Sequence, residues 1–355
     1  MTLEFLLDYG LFLAKIATVV IAIIAILVIA KSVGGKSSAI KGELEITNLS
    51  DHHKQTIEQL EHHLHDDAFI KARDKAEKKA EKEKTKSRGK EVKKAAKEGE
   101  LDSKREPHLF VLEFNGSIDA KEVASLREEV TAVLAVAREG DEVLLKLESG
   151  GGMVHGYGLA SSQLDRIKAA GLPLTISVDK VAASGGYMMA CIADKIVSAP
   201  FAIVGSIGVI AQLPNFNKLL KKYDIEFEQL TAGEYKRTLT MFGENNDKAR
   251  EKFKQELEET HGLFKDFIRD HRPELDLEKV ATGEHWFGTQ AHALGLVDEI
   301  RTSDDIVVDA CKEKTVLAIH YVQKKKLSDK LAGVAGKSAD NILLKLIERG
   351  QKPIV

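Results

Sequence analysis

Residues 142–160 read EVLLKLESGGGMVHGYGLA, and their character changes at Ser149. Glu142 to Ser149 is rich in apolar residues and predicts a buried strand. Three glycines follow. Val154 to Ala170 then carries helical spacing until Gly171-Leu172-Pro173 stops it. The same succession of strand, glycine turn and helix start recurs downstream. LTISV (174–178) reads as a strand, and VAASGGYMMACIAD (181–194) sets Ser184 and two glycines before an apolar helix over Tyr187 to Ala193. Upstream, LFVLEFNG (109–116) is a strand closed by Asn-Gly. Asp119 is expected to cap a helix reaching about Arg138, with Val123, Leu126, Val130, Val133 and Leu134 on one face. KIVSAP (195–200), FAIVGSIGVI (201–210) and IEFEQLTAG (225–233) read as further extended segments, and Asp247 to Arg272 as a long charged amphipathic helix. Strands alternating with helices require crossover connections, so the expected class is α/β with a largely parallel sheet.

Two glycine loops at the ends of two parallel strands can face each other at the sheet's carboxyl edge. A serine on a tight turn at a helix start has an exposed hydroxyl near the positive end of the helix dipole. The N–H of Gly185 is a candidate donor to an oxyanion, with one from Gly151 or Gly152 opposite it. A plain N-cap serine uses the same residue type, so Ser184 alone does not establish catalysis. The 148–160 loop lacks the lysine and hydroxyl residue of a phosphate-binding loop, and its spacing is not that of a dinucleotide fingerprint. A serine nucleophile needs a base. His155 lies in the first loop, while His261, His271, His285 and His292 fall in helical or late segments without a motif. The other option is a lysine. Lys236, in QLTAGEYKRTLTMFGENN (229–246), is the candidate, and its amine must be desolvated because a free lysine is protonated at neutral pH.

The chain has 355 residues and a formal net charge of −3, which excludes a general polyanion binder. Residues 9–31 hold the strongest bulk signal. Leu11 to Ala30 is apolar apart from Lys15 and reaches the roughly 20 residues that span a bilayer. Glu4 and Asp8 before it, and no clear small-residue cleavage site after it, favour an uncleaved anchor over a signal peptide. Lys31, Lys36 and Lys41 beyond it predict a cytoplasmic location for the C-terminal side of the anchor. Residues 32–106 form an N-terminal region. In it, Asp51 to Ile70 predicts a short amphipathic helix through Ile57, Leu60 and Leu64, and its His62 and Asp66 read as a solvated face rather than a metal site. Lys71 to Arg105 has almost no large apolar residues, so it is either disordered or a single solvated helix acting as a spacer. The catalytic unit is expected over 107–302, with a C-terminal helix and tail over 303–355. Cys191 and Cys311 are too far apart to make a framework and are expected to be buried apolar residues.

Taken together, ESGGGMVHGYGLA, VAASGGYMMACIAD, FAIVGSIGVI, TAGEYKR and GTQAHALGLVDEI resemble the signal peptide peptidase (SppA-like) family of serine proteases, over about Leu109 to Ile300. The anchor, spacer and single catalytic unit resemble its membrane-anchored bacterial branch. The resemblance implies a ClpP/crotonase-like β-α spiral core, preceded by one transmembrane helix and a charged linker. It implies Ser184 as nucleophile, Lys236 as general base, Gly151 and Gly185 as oxyanion donors, and supporting roles for Gly152 and Ser206. Gly150 stands where relatives often carry proline. The resemblance further implies a peptide or protein substrate, a homo-oligomeric ring in which the dyad can be shared between subunits, the bacterial inner membrane with a periplasmic catalytic unit, and no cofactor, metal or nucleic acid. The periplasmic placement conflicts with the lysines after the anchor. An acyl-CoA hydratase or isomerase on the same fold, and a non-catalytic membrane scaffold, are the competing readings.

Overall fold

A computed structural model describes residues 42–98 and 105–323, together with Phe12, Lys15, Ile16 and Thr18. The expected anchor over 9–31 lies outside the described residues apart from those four. Among the described residues no helix is long and apolar enough to cross a membrane. Nearly all the described residues belong to one compact unit, Leu44–Val322.

In chain order the elements are β1 (Gly42–Asn48), α1 (Leu49–Leu64), α2 (Asp67–Glu98), β2 (His108–Gly116), α3 (Val123–Val136), β3 (Glu142–Ser149), α4 (Val154–Ala169), β4 (Leu174–Val178), β5 (Val181–Ala183) and α5 (Gly185–Ala190). Next come β6 (Lys195–Ser198), β7 (Ile203–Gly205), α6 (Asn217–Lys222), α7 (Asp247–His271), α8 (Leu277–Val280), β8 (His285–Phe287), α9 (Gly288–Ala293), β9 (Glu299–Ile300), α10 (Ser303–Glu313) and β10 (Thr315–Gln323). The main ladder runs β1-β10-β2-β3-β4-β6-β9, and the pairs from β10 to β9 are parallel. β3 forks. Its Val143 to Lys146 pair with β4, while Ser149 at its end pairs with Ala182 of β5. β5 then pairs in parallel with β7, and β7 pairs antiparallel with β8. The fold is therefore mixed α/β with a sheet rich in parallel pairs, and the branch at Ser149 carries the second glycine turn beside the first.

Alternation along the strands splits the core. Phe110, Leu112 and Phe114 of β2 join Val143, Leu145 and Leu147 of β3 in the larger cluster, under α3, α4 and α5. Leu109, Val111 and Leu144 point to the other face, where Val316 and Ala318 of β10 and the partly buried Leu49, Ile306 and Val307 cover them. A strand buried on both faces reads as a continuous apolar run, as LFVLEF and EVLLKL do.

Several elements differ from their sequence expectation. Asp119 does not cap α3. Ala120, at φ 51°, inserts a tight turn, the helix starts at Val123, and the Asp119 carboxylate accepts from Ser117 Oγ at 2.6 Å. The strand expected over 201–210 shrinks to Ile203–Gly205, because Gly205 (φ 102°) and Ser206 (φ 51°) turn the chain out of the ladder. Ile225 to Gly233 pairs with no strand. Lys71 to Glu98 is helical, the second of the two spacer readings. Beyond α10, Thr315–Gln323 is not a tail but a strand seated beside β2, completing the smaller core. Cys191 is buried as expected, whereas Cys311 is only partly covered.

Candidate active site

Ser184 stands between the last residue of β5 and the first of α5. Its N–H donates to Gly205 O at 2.8 Å, and its carbonyl accepts from Met188 N–H at 3.0 Å. These two bonds hold it at φ 53°, ψ −118°, a conformation that costs a residue with a side chain on the order of 1–3 kcal/mol. Strain of this kind at a strand-to-helix turn is what exposes the hydroxyl of a nucleophile elbow.

The glycines around it are sterically imposed. A Cβ on Gly185 would lie 2.4 Å from Tyr157 Cγ, and one on Gly186 would lie 2.5 Å from Ser149 O. Across the gap, Gly151 has φ +83°, and a Cβ there would lie 2.6 Å from Gly185 N. A Cβ on Gly152 would be 2.0 Å from Ile118 O. In that loop only Gly150 has open space around it. The two glycine loops predicted to face each other do so, because they leave the carboxyl ends of the neighbouring strands β3 and β5.

The expected donor Gly151 is occupied: its N–H donates to Ser149 Oγ at 3.1 Å. Met153 N–H goes to Ile118 O at 2.8 Å. Gly152 N–H has no acceptor among the described residues. The N–H of Gly185, first in α5, has no intrahelical acceptor.

Ser184, Gly151, Gly152 and Gly185 line one cavity of about 780 Å³. Val154, Met188, Ile210, Leu263, Phe264 and Phe267 make its wall largely apolar. Ser206 also lines it, with its N–H bonded to Glu284 O at 2.6 Å. Lys236 does not. It is exposed, in a turn closed by its N–H on Gly233 O at 3.2 Å. That turn is held to α7 by Glu234, which accepts from Lys248 Nζ at 2.6 Å, and by the Tyr235 ring, 5.6 Å from Lys252 Nζ. His155 is exposed. His261, which no motif marked, does line the cavity, and its Nε2 lies 3.2 Å from Ile207 O. The sequence signal was the helical spacing of His261 with Phe264 and Ile268. Trp286 packs against Gly205, whose carbonyl accepts from the Ser184 N–H.

A strained serine lining an apolar cavity, next to a helix start, is an arrangement that serine hydrolases use for a nucleophile. The chain belongs to peptidase family S49: the family's N-terminal model matches residues 4–164 and its peptidase model residues 166–317. It is a serine-type peptidase. Among its relatives is the probable protease SohB of Haemophilus influenzae, 52% identical over 340 residues, 96% of each chain. The probable protease SohB of Buchnera aphidicola subsp. Acyrthosiphon pisum is 51% identical over 345 residues, 97% of this chain and 98% of the relative. That of Buchnera aphidicola subsp. Schizaphis graminum is 57% identical over 239 residues, 67% and 70% of the two chains. Membership of a peptidase family displaces the acyl-CoA and scaffold readings.

Proposed function

We propose that this chain is a membrane-anchored, ATP-independent serine endopeptidase with a Ser–Lys dyad, which cleaves apolar or small-residue peptides such as signal-peptide remnants. The observation that carries the reading is Ser184, held at positive φ and lining an apolar cavity together with Gly152 and Gly185. The spiral stacking of β-α turns known from ClpP and crotonase fits the fork at Ser149. Ser184 Oγ attacks the scissile carbonyl while a neutral Lys236 amine takes its proton. The oxyanion is held by Gly152 and Gly185, each such donor contributing roughly 3–4 kcal/mol in comparable sites. The ammonium then protonates the leaving amine, and water repeats the cycle on the acyl-enzyme.

Within one chain Lys236 lies on the exposed side of a segment outside the cavity. The dyad is therefore assembled between copies in a homo-oligomeric ring, each Ser184 cavity receiving the lysine of a neighbour. Exposed Leu213, Phe216, Leu219, Ile225 and Leu230 on that segment supply an apolar surface for such contact. The apolar run over 9–31, read as an anchor, supports a location in the bacterial inner membrane.

The test mixes Ser184→Ala with Lys236→Ala protein. Each alone is inactive, and the mixture regains activity because some sites combine an intact serine with an intact lysine. A fully active Lys236→Ala protein would eliminate the dyad. His261 favours a second reading, a base within the same chain, since it shares the Ser184 cavity. That reading requires an inactive His261→Gln protein and an active Lys236→Ala one.

A further inference from the structure

Behind the glycine loop lies a closed chain of hydrogen bonds with every proton assigned. Gly151 N–H donates to Ser149 Oγ at 3.1 Å. Tyr157 Oη donates to Ser117 O at 2.9 Å. A phenol has one proton, so the 2.5 Å contact between Ser149 Oγ and Tyr157 Oη is filled by the proton of Ser149. The order is thus Gly151 N–H to Ser149, Ser149 O–H to Tyr157, and Tyr157 O–H to Ser117 O. Tyr157 is 0% exposed and Ser149 2%. Burial lifts the Tyr157 phenol above its ordinary value, so it keeps its proton. Gly116 makes room for the chain, since a Cβ there would lie 2.6 Å from Tyr157 Oη.

The same tyrosine touches both halves of the site. Its ring lies directly against Gly185, where no Cβ fits, and its hydroxyl reaches Gly151 through Ser149. We propose that Ser149 and Tyr157 are positioning residues that set the glycine loop at its working distance from Ser184 and Gly185. Drawing the Gly151 N–H inward, at φ +83°, fixes the following peptide and leaves Gly152 N–H as the loop's donor to the reacting carbonyl. A loop of three glycines has no side chains of its own to define its shape, so the definition comes from beneath. This proposal rests on Ser184 being the nucleophile.

The experiment compares Tyr157→Phe, Ser149→Ala and the double variant in the full-length protein. Tyr157→Phe removes one oxygen and keeps the ring under Gly185. Activity is read with an internally quenched apolar peptide, active sites are counted by exhaustive fluorophosphonate labelling, and a peptide boronate reports affinity for the tetrahedral adduct. Each single variant is expected to lower kcat per labelled site by about tenfold to a hundredfold, the scale of a small misplacement at a reacting centre. Boronate affinity falls in parallel, while KM stays within about twofold because the apolar cavity is intact. The double variant is no worse than the poorer single one, since both break the same chain. Wild-type kcat per labelled site and wild-type boronate affinity in both single variants, with only Tm lowered, would reduce the chain to a structural role and overturn the proposal. If Tyr157→Phe does not fold, Ser149→Ala and its partial rescue in Ser149→Thr decide the matter. An active Ser184→Ala protein would instead bring down the underlying assignment, whatever the other variants do.

Discussion

Gly151 and Ser184 approach so closely that a Cβ on the glycine would lie 2.8 Å from that of the serine. The gap between the first glycine loop and Ser184 is thus set by the absence of a single methyl group.

Gly151→Ala therefore combines a steric conflict with an alanine at φ +83°, which by itself costs about 1–2 kcal/mol. Cleavage is expected to fall at least about a hundredfold, with a lower Tm. Gly150→Ala, one residue away and with open space around its Cβ, retains both activity and Tm. Peptide cleavage and thermal melts of the two proteins check the contrast, and equal behaviour would contradict the geometry.

The strain at Ser184 makes a prediction that activity alone does not. Ser184→Ala and Ser184→Gly are both inactive, but only glycine is at ease at φ 53°. The glycine variant is expected to be the more stable by about 1 kcal/mol in denaturant melts. A more stable alanine variant would show that the turn is not strained.

Arg272 and Asp298 form a bidentate pair, with Nη1 to Oδ2 at 2.8 Å and Nη2 to Oδ1 at 2.6 Å, and Asp298 also accepts from Ile196 N–H at 2.7 Å. Burial alone would raise the Asp298 carboxyl, but the hydrogen bonds from Arg272 and Ile196 outweigh it and hold it below its usual range. A depressed folded value means stability that is present above the unfolded carboxyl range and is lost as pH falls through the folded one. Arg272→Met is expected to lose about 1–3 kcal/mol near neutrality, less than for a fully dry pair because both groups keep some solvent contact. Its Tm should also fall less than that of the parent protein on acidification from about pH 6 to about pH 3.

Glu129 carries the opposite sign. It is 3% exposed, and its Oε1 accepts from Tyr321 N–H at 2.8 Å, which ties α3 to β10. Burial raises its carboxyl above the ordinary value, against the smaller lowering by Tyr321. Stability is then full below the ordinary carboxyl range and declines as pH rises through the raised value. Glu129→Gln keeps the bond to Tyr321 and cannot ionise. On acidification from neutral pH its Tm should fall more than that of the parent, because the gain from protonating Glu129 is gone, and parallel Tm–pH curves would refute the assignment.

The strands β3 and β4 and the helix α7 were legible to within a residue or so, because each is a run whose burial pattern repeats along its own length. FAIVGSIGVI looked equally apolar, yet two positive-φ residues stop its ladder after three residues, and apolarity does not report backbone angle. Thr315–Gln323 was expected within a C-terminal tail, and it is its pairing with β2 and β1 that makes it a strand.

Local chemistry by itself determined the α/β class, the two glycine loops at neighbouring strand ends, and Ser184 as the hydroxyl at a helix start. Each of these comes from residues adjacent in the chain. Tertiary structure alone decided that Gly151 gives its N–H to Ser149, that Tyr157 supports both sides of the cleft, that His261 shares the cavity and that Lys236 stands outside it. Those outcomes depend on residues dozens of positions apart meeting at hydrogen-bond distance, and a one-dimensional pattern carries no measure of that distance.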